Sequence, residues 1–192
     1  TGRTESRLIP LKSALNDSEL IVWHAGKEHR FALNRTAEIA NKHFSYRFQS
    51  SKISEEADAW FSNFLERPCH LIAQSKEQPR GIKEEFGSSK LHMADAGPLL
   101  LLNRSSLHSF THLNQEEKHE LRFRPNLVVD SGKAFEEHEW ERIQIGSVSL
   151  RRMKDCGRCV FTTKDPFTGE MHPNSEPLRS LSKTRVDAKG EA

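Results

Sequence analysis

Apolar residues recur along this chain in two rhythms, and the change from one to the other sets the predicted elements. Between residues 7 and 50 they come in short runs. Leu20-Ile21-Val22-Trp23 and Arg30-Phe31-Ala32-Leu33 predict two strands, with His24-Ala25-Gly26-Lys27-Glu28 as the hairpin turn. From Ser54 the period lengthens. Ala57, Trp60, Phe61, Phe64 and Leu65 fall at i, i+3, i+4 and i+7, behind a Ser-Glu-Glu start, which predicts a helix that Pro68 stops. Cys69-His70-Leu71-Ile72 then reads as a strand, and polar residues 75–91, with Gly and Pro, as an exposed loop.

The second half repeats the mixture in shorter pieces. Pro98 opens the apolar run Leu99–Leu102, and Ser105 or Ser106 can cap a short helix carrying Leu107, Phe110 and Leu113. Residues 114–120 form a charged connector. Phe123–Val129 reads as a strand with Pro125 inside it, which suits an edge or a bulge. Trp140–Ile145 and Ser147–Met153 are strand-like on either side of Gly146. Val160–Thr163 is β-prone, Asp165–Gly169 is a turn, and Pro177–Leu181 makes a short helix or turn. Many short strands with a few helices predict an α+β fold built on a β-rich barrel.

Composition narrows the function classes. With 29 Lys+Arg against 27 Asp+Glu there is no basic excess to draw nucleic acid. No stretch reaches the roughly 18 apolar residues of a membrane span, and no signal or transit leader is visible. Cys69, Cys156 and Cys159 are an odd set at spacings unsuited to a disulfide framework, which points to a reducing compartment. The Thr1 start and the polar tail 186–192 read as cuts in a longer protein.

The densest chemistry lies in Lys154-Asp155-Cys156-Gly157-Arg158-Cys159. A thiolate is both a soft metal ligand and a nucleophile, and an adjacent cation favours it. Three uses stay open for Cys159: ligand or reactive thiol, half of a zinc site, or packing. A closed zinc site needs four ligands, so Cys69 and a histidine would have to join the pair. A thioredoxin-type pair wants a helix start, which Val160–Thr163 does not predict. Cys156 reads equally as a supporting thiol or as packing, and Cys69 as core. Glu136-Glu137-His138-Glu139 has a metal-binding composition but reads as a solvated charge run. No nucleophile elbow, P-loop or dinucleotide Gly-rich loop is present.

Several strings in order resemble the MOSC domain family: Leu121-Arg122-Phe123-Arg124-Pro125-Asn126, Phe135–Trp140, Ile145-Gly146, Cys156-Gly157-Arg158-Cys159, Asp165–Gly169 and Glu176-Pro177-Leu178. MOSC domains form the C-terminus of molybdenum cofactor sulfurases and also occur in amidoxime-reducing components. Trp60–Ser75 looks most like the sulfurase branch, and Phe161-Thr162-Thr163-Lys164-Asp165 more like the amidoxime-reducing branch. Thr1–Leu8 resembles the middle of the β-barrel domain that precedes MOSC. The resemblance therefore implies 1–52 as the end of that N-terminal barrel, 53–185 as a MOSC domain without its last strands, and 186–192 as a tail. The family's opening Lys-Ser strand and Asp-Arg-x-Trp segment have no counterpart here, and Lys12-Ser13 is out of place for it.

What the resemblance implies is specific. Cys159 becomes the catalytic residue and the protein ligand to molybdenum. Arg124 and Asn126 line the molybdopterin pocket, joined by Arg158, by Arg122 (on the face of Arg124 if the strand is regular) and by Asp95 and Gly97 in a loop. Thr162, Thr163 and Asp165 can orient the cysteine loop. The longer Trp60–Ser75 match favours a cytoplasmic sulfurase. Its sulfido ligand would come from a cysteine desulfurase domain whose pyridoxal phosphate lies outside this chain. The alternative is a reductase served by haem and flavin electron-transfer proteins and anchored at the mitochondrial outer membrane. A non-catalytic truncated scaffold is the third reading.

Overall fold

The structure is a computed structural model that describes residues 2–43, 46–75, 80–81, 87, 90–91, 93–94, 97–109 and 119–184. The chain divides into two units, Leu11–Pro98, and Thr1–Pro10 together with Leu99–Ala192.

In the Leu11–Pro98 unit, strands β1 (Lys12–Leu15), β2 (Glu19–His24) and β3 (Lys27–Ala32) form an antiparallel sheet in that order. The predicted hairpin is tighter than its sequence suggests. His24 pairs with Lys27, and Ala25 and Gly26 turn the chain with φ of 50° and 73°. Two left-handed residues in succession match the twist of the flanking strands. A second sheet orders β4 (Glu38–His43), β5 (Tyr46–Lys52) and β6 (Ile72–Gln74), so its hydrogen bonds run across residue 52. Short strands β7 (Arg80–Gly81) and β8 (Lys90–Leu91) pair within the stretch expected to be loop.

Helix α1 (Glu55–Leu65) begins where expected, with Ser54 Oγ accepting the Ala57 N–H at 3.2 Å. It ends one turn before Pro68, because Glu66 takes a left-handed φ of 54° and closes the carbonyls of Ser62 and Asn63. The apolar face it buries is the predicted one. Ala57 lies with Val22 and Phe31 in a core flanked by Leu20, Trp60, Phe61 and Leu71. Each large apolar side chain here is worth about 1.5–3 kcal/mol of burial. Asp58 ties the helix to its exit strand. Its buried carboxylate accepts the Leu71 N–H at 2.6 Å and faces His70 Nδ1 at 2.7 Å. Cys69 is half-buried rather than core; its N–H reaches Ser62 Oγ at 3.0 Å, and the strand starts only at Ile72.

In the other unit, β9 (Leu101–Asn103) runs parallel to β10 (Leu127–Val129). Between them lie α2 (Arg104–His108) and the single turn α3 (Glu120–Phe123). Asn103, not Ser105 or Ser106, caps α2, and Phe110 and Leu113 lie outside the described residues. Its carboxamide is fully buried, with Nδ2 at 2.9 Å from Ser131 Oγ, 3.0 Å from Lys133 O and 2.9 Å from Glu137 Oε2. Strands β11 (Arg142–Ile145) and β12 (Val148–Arg151) make an exposed hairpin, and α4 (Leu178–Thr184) brings Leu181 into a core with Leu107 and Phe123. The fold is α+β as expected. Among the described residues, however, its strands lie in sheets of two or three and close no barrel.

Two local expectations fail for physical reasons. Phe123–Val129 is not one strand. Leu121–Phe123 make a helical turn, Arg124 ends it at φ 53°, and β10 starts after Asn126. Val160–Thr163 is a 3-10 turn, because the Thr162 and Thr163 hydroxyls donate back to the carbonyls of Cys159 (3.0 Å) and Val160 (2.7 Å). Such hydroxyls offer the backbone an alternative to a ladder.

Candidate functional site

The cysteine segment runs from Arg152 to Cys159 without regular structure, so its shape depends on side chains that anchor it. At its start the Arg152 guanidinium donates to His138 O and to Asp155 Oδ1, both at 2.7 Å, while His138 Nδ1 sits 3.2 Å from Asp155 Oδ2. Burial pushes the Asp155 carboxyl up, but the Arg152 hydrogen bond and the nearby His138 and Arg152 charges outweigh it and hold it below its ordinary range. The 136–139 segment is therefore not a free charge run. His138 anchors the cysteine segment, and Glu137 accepts the Ser106 hydroxyl at 2.7 Å.

Beyond Cys156 the anchor is Arg158. Sequence adjacency suggests that it serves Cys159. Its guanidinium instead donates to the exposed Cys156 sulfur at 3.1 Å and to Phe123 O at 2.8 Å, and lies 5.3 Å from the Phe123 ring centroid. Its Nε is buried and has no partner among the described residues. Cys159 is half-buried, and among the described residues its sulfur makes no hydrogen bond. Cys156 thus packs beside an arginine, and Cys159 holds the uncommitted thiol.

From Thr162 to Asp165 every polar side chain is committed. Thr162 and Thr163 are buried at 1% and 0% exposure, which explains why their hydroxyls turn back onto the chain. Lys164 is buried as well, and its Nζ donates to Gly2 O (3.0 Å), Arg3 O (3.0 Å) and Ser6 Oγ (2.8 Å). Asp165 Oδ1 accepts the Phe167 and Thr168 N–H groups at 2.8 Å, and Oδ2 lies 3.3 Å from Arg122. Burial raises the Asp165 carboxyl, but those N–H bonds and the Arg122 charge bring it below its ordinary value.

The remaining expected residues divide. Arg122 does not share a face with Arg124. It sits in α3, buried, on Asp165 and the Thr163 carbonyl, because a helical turn replaces the strand. Arg124 is exposed, with its guanidinium 5.3 Å from the Phe161 ring centroid and in no hydrogen bond or ion pair among the described residues. Asn126 Oδ1 accepts the Leu100 N–H at 2.9 Å, so its carbonyl joins β10 to β9 and its amide N–H groups stay open. Asp95 lies outside the described residues, and Gly97 falls in the Leu11–Pro98 unit. Sequence reasoning missed Lys164, Gly2 and the His138–Arg152–Asp155 anchor. Only the composition of the 136–139 run hinted at the last.

The sequence model of the MOSC domain family matches residues 88–191, more than half of the chain, and this chain belongs to that family. Mitochondrial amidoxime-reducing component 1 of Danio rerio is 30% identical over 97% of this chain and 60% of its own length. Mitochondrial amidoxime reducing component 2 of Homo sapiens is 30% identical over 97% of this chain and 58% of its own. Molybdenum cofactor sulfurase of Homo sapiens is 33% identical over 68% of this chain and 17% of its own. The chain thus spans less than two thirds of each of these relatives. Among the described residues, no helix is long and apolar enough to cross a membrane.

The family implies a molybdenum cofactor, and the side chains fit one. A thiol with no competing hydrogen bond suits a thiophilic metal, and an open guanidinium at Arg124 suits a phosphate. The buried, unsatisfied Nε of Arg158 adds a donor between them in sequence.

Proposed function

We propose that this chain is the molybdenum-cofactor-binding part of its protein, with Cys159 as the thiol that faces the metal. The observation that carries this reading is the uncommitted Cys159 sulfur, in a segment where the polar side chains from Thr162 to Asp165 are all engaged. Arg124 supplies a bidentate grip for an anionic tail, and Asn126 offers amide N–H donors nearby in the chain. Thr162 fixes the carbonyl of Cys159, and Arg158 fixes the segment to the end of α3, so the sulfur is presented without reorganisation. When bound, the cofactor supplies a metal that exchanges oxygen or sulfur ligands and passes electrons.

Within that role, we favour a reductase of the amidoxime-reducing type. Relatives of that name align over 97% of this chain, against 68% for the human sulfurase. The Trp60–Ser75 match that favours the sulfurase falls on α1 and its exit, where Trp60, Phe61 and Leu71 pack a core. The Thr-Thr-Lys-Asp platform, buried from Thr162 to Lys164, lies in the turn that starts at the cysteine itself. The sulfurase remains the second reading, favoured by the higher identity of 33%. Its sulfur donor would be a desulfurase domain, as electron-transfer proteins would serve the reductase.

The test is made on the full-length protein expressed with cofactor supply. Cys159→Ala should lose bound molybdenum by elemental analysis, yet keep its fold and part of its pterin, read as fluorescence after oxidation. Unchanged molybdenum refutes the ligand role. Reduction of an N-hydroxyamidine by the loaded protein with reduced viologen supports the reductase. Failure there, with sulfur transfer from a desulfurase, supports the sulfurase.

A further inference from the structure

The structure assigns Lys164 and the segment Gly2–Ser6 a positioning role at the Cys159 site: we infer that the lysine staples this segment against Phe161, and that Phe161 in turn supports Arg124. The inference rests on the cofactor-binding reading above, and it extends the site to residues no motif points to.

An ammonium group has three N–H donors and no acceptor. All three of Lys164 go to one five-residue stretch, the carbonyls of Gly2 and Arg3 and the hydroxyl of Ser6, while the side chain is buried. Two glycines show how closely that stretch is held. A Cβ on Gly2 would lie 3.1 Å from Phe161 Cε2, and one on Gly169 would lie 2.6 Å from Ser6 O. The segment therefore touches the Phe161 ring at one end and the Asp165–Gly169 turn at the other. The same Phe161 ring carries the Arg124 guanidinium at 5.3 Å, a cation–π distance. The Arg124 guanidinium has no hydrogen bond or ion pair among the described residues, so this ring is its support. The core of the unit, Leu107, Phe123 and Leu181, includes none of the stapled residues. Loosening the staple should thus disturb the site before it disturbs the fold.

The experiment uses the full-length protein in a Cys69→Ser, Cys156→Ser background, so that Cys159 is the thiol read within this chain. Lys164→Met keeps the stem and removes the donors, Gly2→Val presses on Phe161 and Ile9 while leaving the lysine side chain in place, and Lys164→Arg is the conservative rescue. Three readouts are compared: far-UV circular dichroism, the rate of Cys159 labelling by a soluble aromatic disulfide, and pterin retained per chain. Lys164→Met and Gly2→Val should keep the far-UV spectrum, label roughly tenfold faster and retain roughly tenfold less pterin, the scale of one lost charge-assisted hydrogen bond. Lys164→Arg should recover most of both. Wild-type labelling and retention in the first two variants overturns the inference. So does loss of the far-UV spectrum in both, which would make the segment part of the core. If the unmutated background retains no pterin while labelling still follows the staple, the cofactor reading fails and the positioning of the cysteine turn stands.

Discussion

Gly169→Ala should destabilise the Thr1–Pro10 and Leu99–Ala192 unit far more than the same change at Gly146, and the difference measures the contact that holds Ser6. Both glycines have left-handed backbones, φ 78° at Gly169 and φ 58° at Gly146. An alanine there costs about 1–2 kcal/mol in conformation, partly offset by a stiffer unfolded chain. At Gly146 nothing lies within 4 Å, so the cost ends there, at about 1 kcal/mol. At Gly169 the new methyl would meet Ser6 O at 2.6 Å, and that carbonyl must retreat by about 0.8 Å to reach the 3.4 Å of ordinary contact. The retreat strains two bonds, the Ile9 N–H onto Ser6 O at 2.9 Å and the Lys164 ammonium onto Ser6 Oγ at 2.8 Å. Losing them adds about 2–3 kcal/mol, since one is charge-assisted. For a chain of this size that predicts a fall in melting temperature of about 6–16 °C, against about 2–4 °C for Gly146→Ala. Thermal melts followed by circular dichroism check both. Equal shifts in the two variants would refute the reasoning, because the conformational cost is common and only the carbonyl contact differs.

Two further outcomes follow from anchors in the two units. Asp58→Ala strands the Leu71 N–H and removes the partner of His70, and should lower stability by about 2–3 kcal/mol in urea titration without moving the labelling rate of Cys159. Asp155 and Asp165 both sit below the ordinary carboxylate value of 3.8 in the folded chain, so their contributions are complete above that value and disappear as pH falls through the lower folded values. Melting temperature should therefore drop on acidification below about pH 4, and Asp155→Asn should flatten that drop in a pH series of melts.

The elements legible in the sequence were those whose information is local. Ser54 and the spacing of Ala57, Trp60, Phe61 and Leu65 specify α1 because cap and apolar face lie within one short window. Phe123–Val129 misled at its start because the turn that ends at Phe123 is too short for a 3.6 period to separate from alternation. Val160–Thr163 misled because β-branched residues carry hydroxyls that fold back once buried. In the site, the Cys-x-x-Cys string marks the chemistry, but not which sulfur the arginine takes. Adjacency put Arg158 on Cys159, whereas the folded side chain spans from Cys156 to the Phe123 carbonyl, 35 positions away in sequence. Lys164 was invisible for the same reason. Its acceptors lie 158 to 162 positions earlier, and nothing local records them.

Asn103 does its work as an amide and not as an acid. Exchanging its amide for a carboxylate, as in Asn103→Asp, would keep the shape yet turn a donor into an anion 2.9 Å from the Glu137 carboxylate, on a side chain with no water-facing surface. The tie between the start of α2 and the 131–137 stretch would become mutual repulsion.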